Sequence, residues 1–107
     1  MSTSISLMIS NLPPKEAQSI ASTLVTERLA ACVTLTPVQS VYRWAGEICI
    51  DEEVTLTAKV STSIIDRCVE RLKNLHPYEL PEIIVIPVDP ERSLPAYLQW
   101  VTRECQP

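Results

Sequence analysis

The sequence has no phenylalanine and a single glycine, Gly46. Without Phe, the core of a 107-residue chain must be assembled from Ile, Leu, Val and Ala. A chain of that size buries only roughly 60 to 70% of its unfolded surface, so such a core gains from continuing across a subunit interface. One glycine excludes a glycine-rich phosphate loop, and neither a nucleophile elbow nor an H-E-x-x-H helix occurs. Histidine is represented once, by His76. Cys32, Cys49, Cys68 and Cys105 stand no closer than 17 positions apart, with no C-x-x-C and no zinc-finger spacing, so they form no recognisable metal knot. No local signature supports a Cys/His dyad. Lys and Arg number 9 against 13 Asp and Glu, and the basic residues are scattered, which argues against a nucleic-acid partner. No apolar run approaches the roughly 18 residues that a membrane span needs. The segment MSTSISLMISNLPP lacks a basic n-region and an apolar h-region, so a cytoplasmic protein with no membrane partner is expected.

What is present is ordinary globular composition: 46% hydrophobic and 21% charged residues place the chain outside the disordered regime. One domain over residues 1–107 is expected. Ile5, Leu7 and Ile9 alternate with Ser4, Ser6 and Met8 as in a strand with one wet face, ended by Asn11, Pro13 and Pro14. Ala17, Ile20, Ala21, Leu24, Val25 and Leu29 then recur at three- and four-residue spacing as one stripe of a helix. β-branched residues from Val33 to Val41, with Tyr42 and Trp44, predict a second strand. Gly46 marks a tight turn into a third strand carrying Ile48, Ile50, Val54, Leu56, Ala58 and Val60 on one face. Glu52 falls on that face too, which predicts either a bulge or a stretch where the face leaves the core.

Ser61, Thr62 or Ser63 is expected to cap a second helix with the stripe Ile65, Cys68, Val69, Leu72 and Leu75. The apolar run Ile83 to Val88 reads as a strand covered on both sides, and a short helix from about Leu94 follows. Cys32 and Cys68 are assigned to apolar helical faces, as reduced structural thiols. The order βαββαβ plus a terminal helix is an α+β, ferredoxin-like sandwich with a long β-hairpin. A hairpin longer than its neighbours projects and invites pairing with another subunit.

His76 sits in the segment LHPYELPE, where an imidazole can ligate a transition metal, polarise an anion or cap the last helical carbonyls. Glu79 and Glu82 can add oxygen ligands or simply be solvated. Tyr42, Arg43 and Trp44 are residue types enriched at interface hot spots. Asp51, Glu52 and Glu53 read as a solvated acidic run that a cation could use.

Three blocks together carry a specific resemblance: ERLAACV at Glu27 to Val33, VYRWAGEI at Val41 to Ile48 with Lys59, and LHPYELPEIIVIPV at Leu75 to Val88, completed by YLQWV at Tyr97 to Val101. Over nearly the whole chain after Lys15 the sequence resembles the CutA family, named for divalent cation tolerance. The resemblance implies a subunit similar to PII signalling proteins, assembled as a homotrimer through its long strands. It implies that Tyr42, Trp44, Lys59, His76, Tyr78, Glu82 and Trp100 lie near clefts between subunits, where Cu2+, another divalent cation or a small ligand could sit. Some relatives carry a Cys in the first strand and a further His before the HPY block; Ile9 and Leu75 stand there in this chain. That leaves His76 as the only imidazole per subunit, and copper affinity depends on such N and S donors. The turn Asn11 to Pro14 departs from the usual acidic entry to the first helix and is read as a loop variation without functional content.

The expected function is cation binding in metal tolerance by a trimer that is not an enzyme. The alternatives are a PII-like module, in which a cleft lined by Lys59, Arg43 and aromatics binds a small anion and reports to a partner protein, and a structural trimer.

Overall fold

A computed structural model describes residues 4–106. Strand β1 spans Ile5–Leu12, helix α1 Pro14–Thr26, strands β2 and β3 Cys32–Trp44 and Glu47–Ser61, helix α2 Ile65–Leu75, strand β4 Ile84–Pro87 and helix α3 Pro95–Glu104. The strands form one antiparallel sheet in the order β2-β3-β1-β4, the ferredoxin-like arrangement that the element order implies.

Two conformations at chain reversals set the element lengths. Proline at the first positions starts α1, where its missing N–H costs nothing. The helix ends at Thr26 rather than running on to Leu29, because Arg28 turns left-handed at φ 61°. Leu29 N–H then returns to the Leu24 carbonyl and Arg28 N–H to that of Val25, a Schellman closure that still buries Leu29 against the helix end. At the hairpin tip Ala45 and Gly46 both adopt positive φ, 51° and 82°, the pair of signs a type I′ turn demands.

The β2–β3 register runs without interruption from Cys32 opposite Lys59 to Trp44 opposite Glu47, so there is no bulge at Glu52. The face leaves the core instead: Leu56, Ala58 and Val60 are fully buried under α1 and α2, while Ile48 and Ile50 on the same face are 61% exposed. The hairpin therefore overshoots the helical layer and gives the chain a long axis of 47 Å against 27 and 21 Å.

Several local expectations are corrected. In β1 the residues facing the helices are Met8, Ser10 and Leu12, in register with Ala58, Leu56 and Val54; Leu7 and Ile9 lie on the opposite face and are half-buried. Strand β4 is not covered on both sides but forms the sheet edge, with Ile84, Val85 and Ile86 exposed. Leu7 and Ile9 pair with Ile86 and Ile84, so an apolar stripe crosses the face turned away from α1 and α2, where α3 covers only the Ile5 end. Cys32 opens β2 rather than a helix, while Cys68 is buried in α2. Ser61, Thr62 and Ser63 do not cap α2: a single 3-10 turn, Thr62–Ile64, precedes it, Ser61 and Ser63 bond each other, and Thr62 bonds Ser6. Cys32, Cys49, Cys68 and Cys105 are all free thiols. No helix among the described residues is long and apolar enough to cross a membrane.

Candidate functional site

Cross-strand pairing puts Asp51 opposite Ser40 and Glu53 opposite Val38, on the sheet face away from α1 and α2. Tyr42, one pair further along opposite Cys49, is a diagonal neighbour of Asp51, and its hydroxyl donates to the Asp51 carboxylate. That bond, followed by burial, pushes the Tyr42 phenol up to about 12. Tyr78 arrives from the loop after α2 and donates to Glu53 Oε2 at 2.9 Å. Burial and then this bond raise its phenol further still. Both tyrosines are therefore protonated donors at neutral pH. Glu53 is only 8% exposed although it belongs to the run expected to be solvated.

His76 is the bracket that holds this loop. Its Nδ1 accepts the Tyr78 N–H at 3.2 Å, which leaves the proton on Nε2 to be donated to the Asn11 carbonyl at 2.9 Å. Its ring lies 4.9 Å from that of Tyr78, and only 7% of the residue is exposed. With both nitrogens committed inside the fold, His76 offers no free ligand position in this geometry. Among the described residues no three His, Cys, Asp or Glu side chains converge as a metal-holding group.

Asn11, expected from sequence to belong to a turn without functional content, instead lies inside β1 and is tied to the groove. Its amide nitrogen donates to Glu82 Oε1 at 3.3 Å, its amide oxygen accepts from Thr55 at 2.7 Å, and its carbonyl accepts from His76. One residue at the end of β1 thus joins β3, the end of α2 and the loop before β4 that lines the groove. Its position directly opposite Thr55 was the available signal, visible only once the β1–β3 register is known.

These elements enclose an open groove of about 660 Å³. Asp51, Glu53, Glu79 and Glu82 line it together with Tyr42, Trp44 and Tyr78, and no Lys or Arg is among the lining residues. Carboxylate oxygens beside aromatic faces suit a positively charged ligand, through charge and cation–π attraction.

Two expected site residues lie elsewhere. Lys59 is eight residues along β3 from Asp51, about 26 Å of strand, and its amine donates to Thr34 at 3.3 Å. Trp100, on α3, rests against Tyr97 at 5.5 Å, and burial beside Cys32 raises the Tyr97 phenol. Cys32 is the cross-strand partner of Lys59, so Lys59, Tyr97 and Trp100 gather at the opposite end of the sheet. Arg43 pairs with Ile48 and lies on the other face from Tyr42, so one chain does not bring Lys59, Arg43 and the aromatics into a single anion site.

Comparison with known proteins agrees with this architecture. The family model described as CutA1 divalent ion tolerance protein matches residues 6–104. The divalent-cation tolerance protein CutA of Thermus thermophilus is 41% identical over 97 residues, covering 89% of this chain and 92% of that protein. Protein CutA of Mus musculus is 43% identical over 88 residues, covering 81% of this chain, which spans only 49% of the mouse protein. Among solved structures, the PII-like protein CutA from Nostoc sp. PCC 7120 in apo form superposes with a TM-score of 0.93 at 48% identity, covering 94% of this chain and 97% of the other.

Proposed function

The chain belongs to the CutA1 divalent ion tolerance protein family, and from that premise we propose that it acts as a homotrimer whose intersubunit clefts take up divalent cations. The observation that carries this reading is the groove lined by Asp51, Glu53, Glu79 and Glu82 with no basic residue. Oxygen donors of this kind suit hard and borderline cations, whereas soft thiolate or multiple imidazole donors would be wanted for tight copper binding. Tolerance is then exerted through weak, carboxylate-based binding, with His76 setting the loop rather than the metal.

Two features support the trimer. Ile84 and Ile86, beside the half-buried Leu7 and Ile9, and the overshooting Ile48 and Ile50 form apolar surfaces that a lone chain leaves wet. Lys59 and Trp100 are too distant to meet Tyr42, Trp44 and Tyr78 within one chain, so a shared cleft needs the groove of one copy and the opposite sheet end of the next. Four unpaired thiols suit a reducing compartment, so the cytoplasm is the proposed location. The PII-like alternative, a small anion held across subunits, draws its support from the Lys59–Thr34 pair at the other end of the sheet.

Calorimetric titration of the reduced protein with Cu(II), Zn(II) and Mg(II), beside a Glu79→Gln/Glu82→Gln variant, tests the cation reading. Saturable binding weakened at least tenfold in the variant is expected. Silence toward every ion, or equal binding by the variant, would transfer the function to the anion or scaffold reading.

A further inference from the structure

Among the described residues, Arg28 and Ala45 are the two non-glycine residues with positive φ, and only Ala45 is explained by a hairpin turn. Arg28 occupies the position after the α1 C-cap, where a Schellman closure favours glycine because a Cβ is crowded there. Its side chain gives the reason for the exception. Its Nε donates to the Glu104 carbonyl at 3.1 Å and Nη2 to the Arg103 carbonyl at 2.9 Å. These are the last carbonyls of α3, which the helix itself leaves unpaired and whose end of the dipole attracts a cation. Nη2 also lies 3.9 Å from the Glu104 carboxylate.

The neighbouring residues make the same turn a junction for the other helices. Glu27 forms a two-pronged pair with Arg71 of α2 at 2.9 and 2.8 Å, and the Leu29 carbonyl lies 3.9 Å from the buried Cys105 thiol just after α3. Beyond this, α3 is seated on a small satellite core of Ile5, Leu98, Val101 and Cys105, which meets the main core through Ile64, and on the contact of Tyr97 with Cys32.

We infer that Arg28 is a latch: its left-handed backbone aims the guanidinium at the α3 C-terminus, and this contact holds α3 as a strap that opens independently of the sheet. The strap carries Tyr97 and Trp100 beside Cys32, so its opening would loosen one wall of the cleft proposed above. The latch itself rests on contacts within one chain and does not depend on that proposal. Opening should be local, because regions seated by few buried contacts exchange with solvent below the global unfolding free energy.

Native-state hydrogen exchange on the full-length protein, in whatever assembly it adopts, separates the two roles of Arg28. Arg28→Gly removes the latch but accepts the left-handed backbone without strain, so the variant should fold. Arg28→Lys keeps the charge and the strain while losing the two-pronged donor. Amides of residues 98–104 are expected to exchange at least tenfold faster in Arg28→Gly, and faster to a smaller extent in Arg28→Lys, with β1 and β3 amides unchanged. Unchanged α3 exchange in Arg28→Gly would overturn the latch, and so would equal acceleration of α3 and the sheet, which would mean global destabilisation.

Discussion

Asn11 bonds partners 44 to 71 positions away in sequence, and His76 spends both ring nitrogens on main-chain groups, which is why neither role could be read from residue type alone. A histidine beside two glutamates looks like a ligand until the register shows its ring spanning the Asn11 carbonyl and the Tyr78 N–H. Replacing His76 by Ala leaves both part-buried groups without their partner and should cost about 1 kcal/mol or more, read as a lower urea midpoint. Ser10 is the converse case. Its hydroxyl is fully buried in the main core without a hydrogen-bond partner. Ser10→Ala should therefore leave the melting temperature unchanged or raise it, and a clear drop would mean that the hydroxyl has a partner. Burial also raises the Cys68 thiol from an ordinary 9.0 to about 12. The folded chain keeps a proton that the unfolded chain releases above pH 9, so this stabilisation is complete below pH 9 and fades toward pH 12. Urea midpoints should fall through that window, and less steeply in Cys68→Ala; identical slopes would assign the alkaline loss to other groups.

At the scale of elements, periodicity located β1, both long helices and the hairpin, because each has a one-sided apolar pattern. Periodicity does not say which face a neighbouring layer covers, and there it misled. In β1 the better apolar set, Leu7 and Ile9, lies away from α1 and α2, and in β4 an almost wholly apolar run is an exposed edge. Both errors have one physical source: the apolar surface reads as buried in sequence, but one chain does not supply its cover. The α1 boundary was missed because a left-handed arginine ends the helix where glycine normally would. The hairpin turn was legible from Gly46, and a Cβ built there meets nothing within 4 Å. Gly46→Ala should thus cost only the conformational penalty of positive φ, roughly 1–2 kcal/mol. Ala45→Asn, better suited to that backbone, should shift stability the other way by a smaller amount. Denaturation midpoints of the pair check both signs.

For the molecule as a whole, the proposed trimer would account at once for the apolar stripe, the overshooting hairpin and the split of the expected cleft residues between two sheet ends. In that proposed trimer Trp44, at the hairpin end and 46% exposed in the lone chain, would be an interface anchor. Trp44→Ala should weaken assembly by about 2 kcal/mol or more, seen as dissociation on dilution; an unchanged mass would make this residue peripheral. The most direct test of the account is the mass of the unmodified chain by light scattering across a hundredfold dilution. A particle of three times the 12.0 kDa chain mass throughout is the expected result. A stable 12.0 kDa monomer would contradict it, leaving the apolar stripe without its cover and the cleft without its second wall.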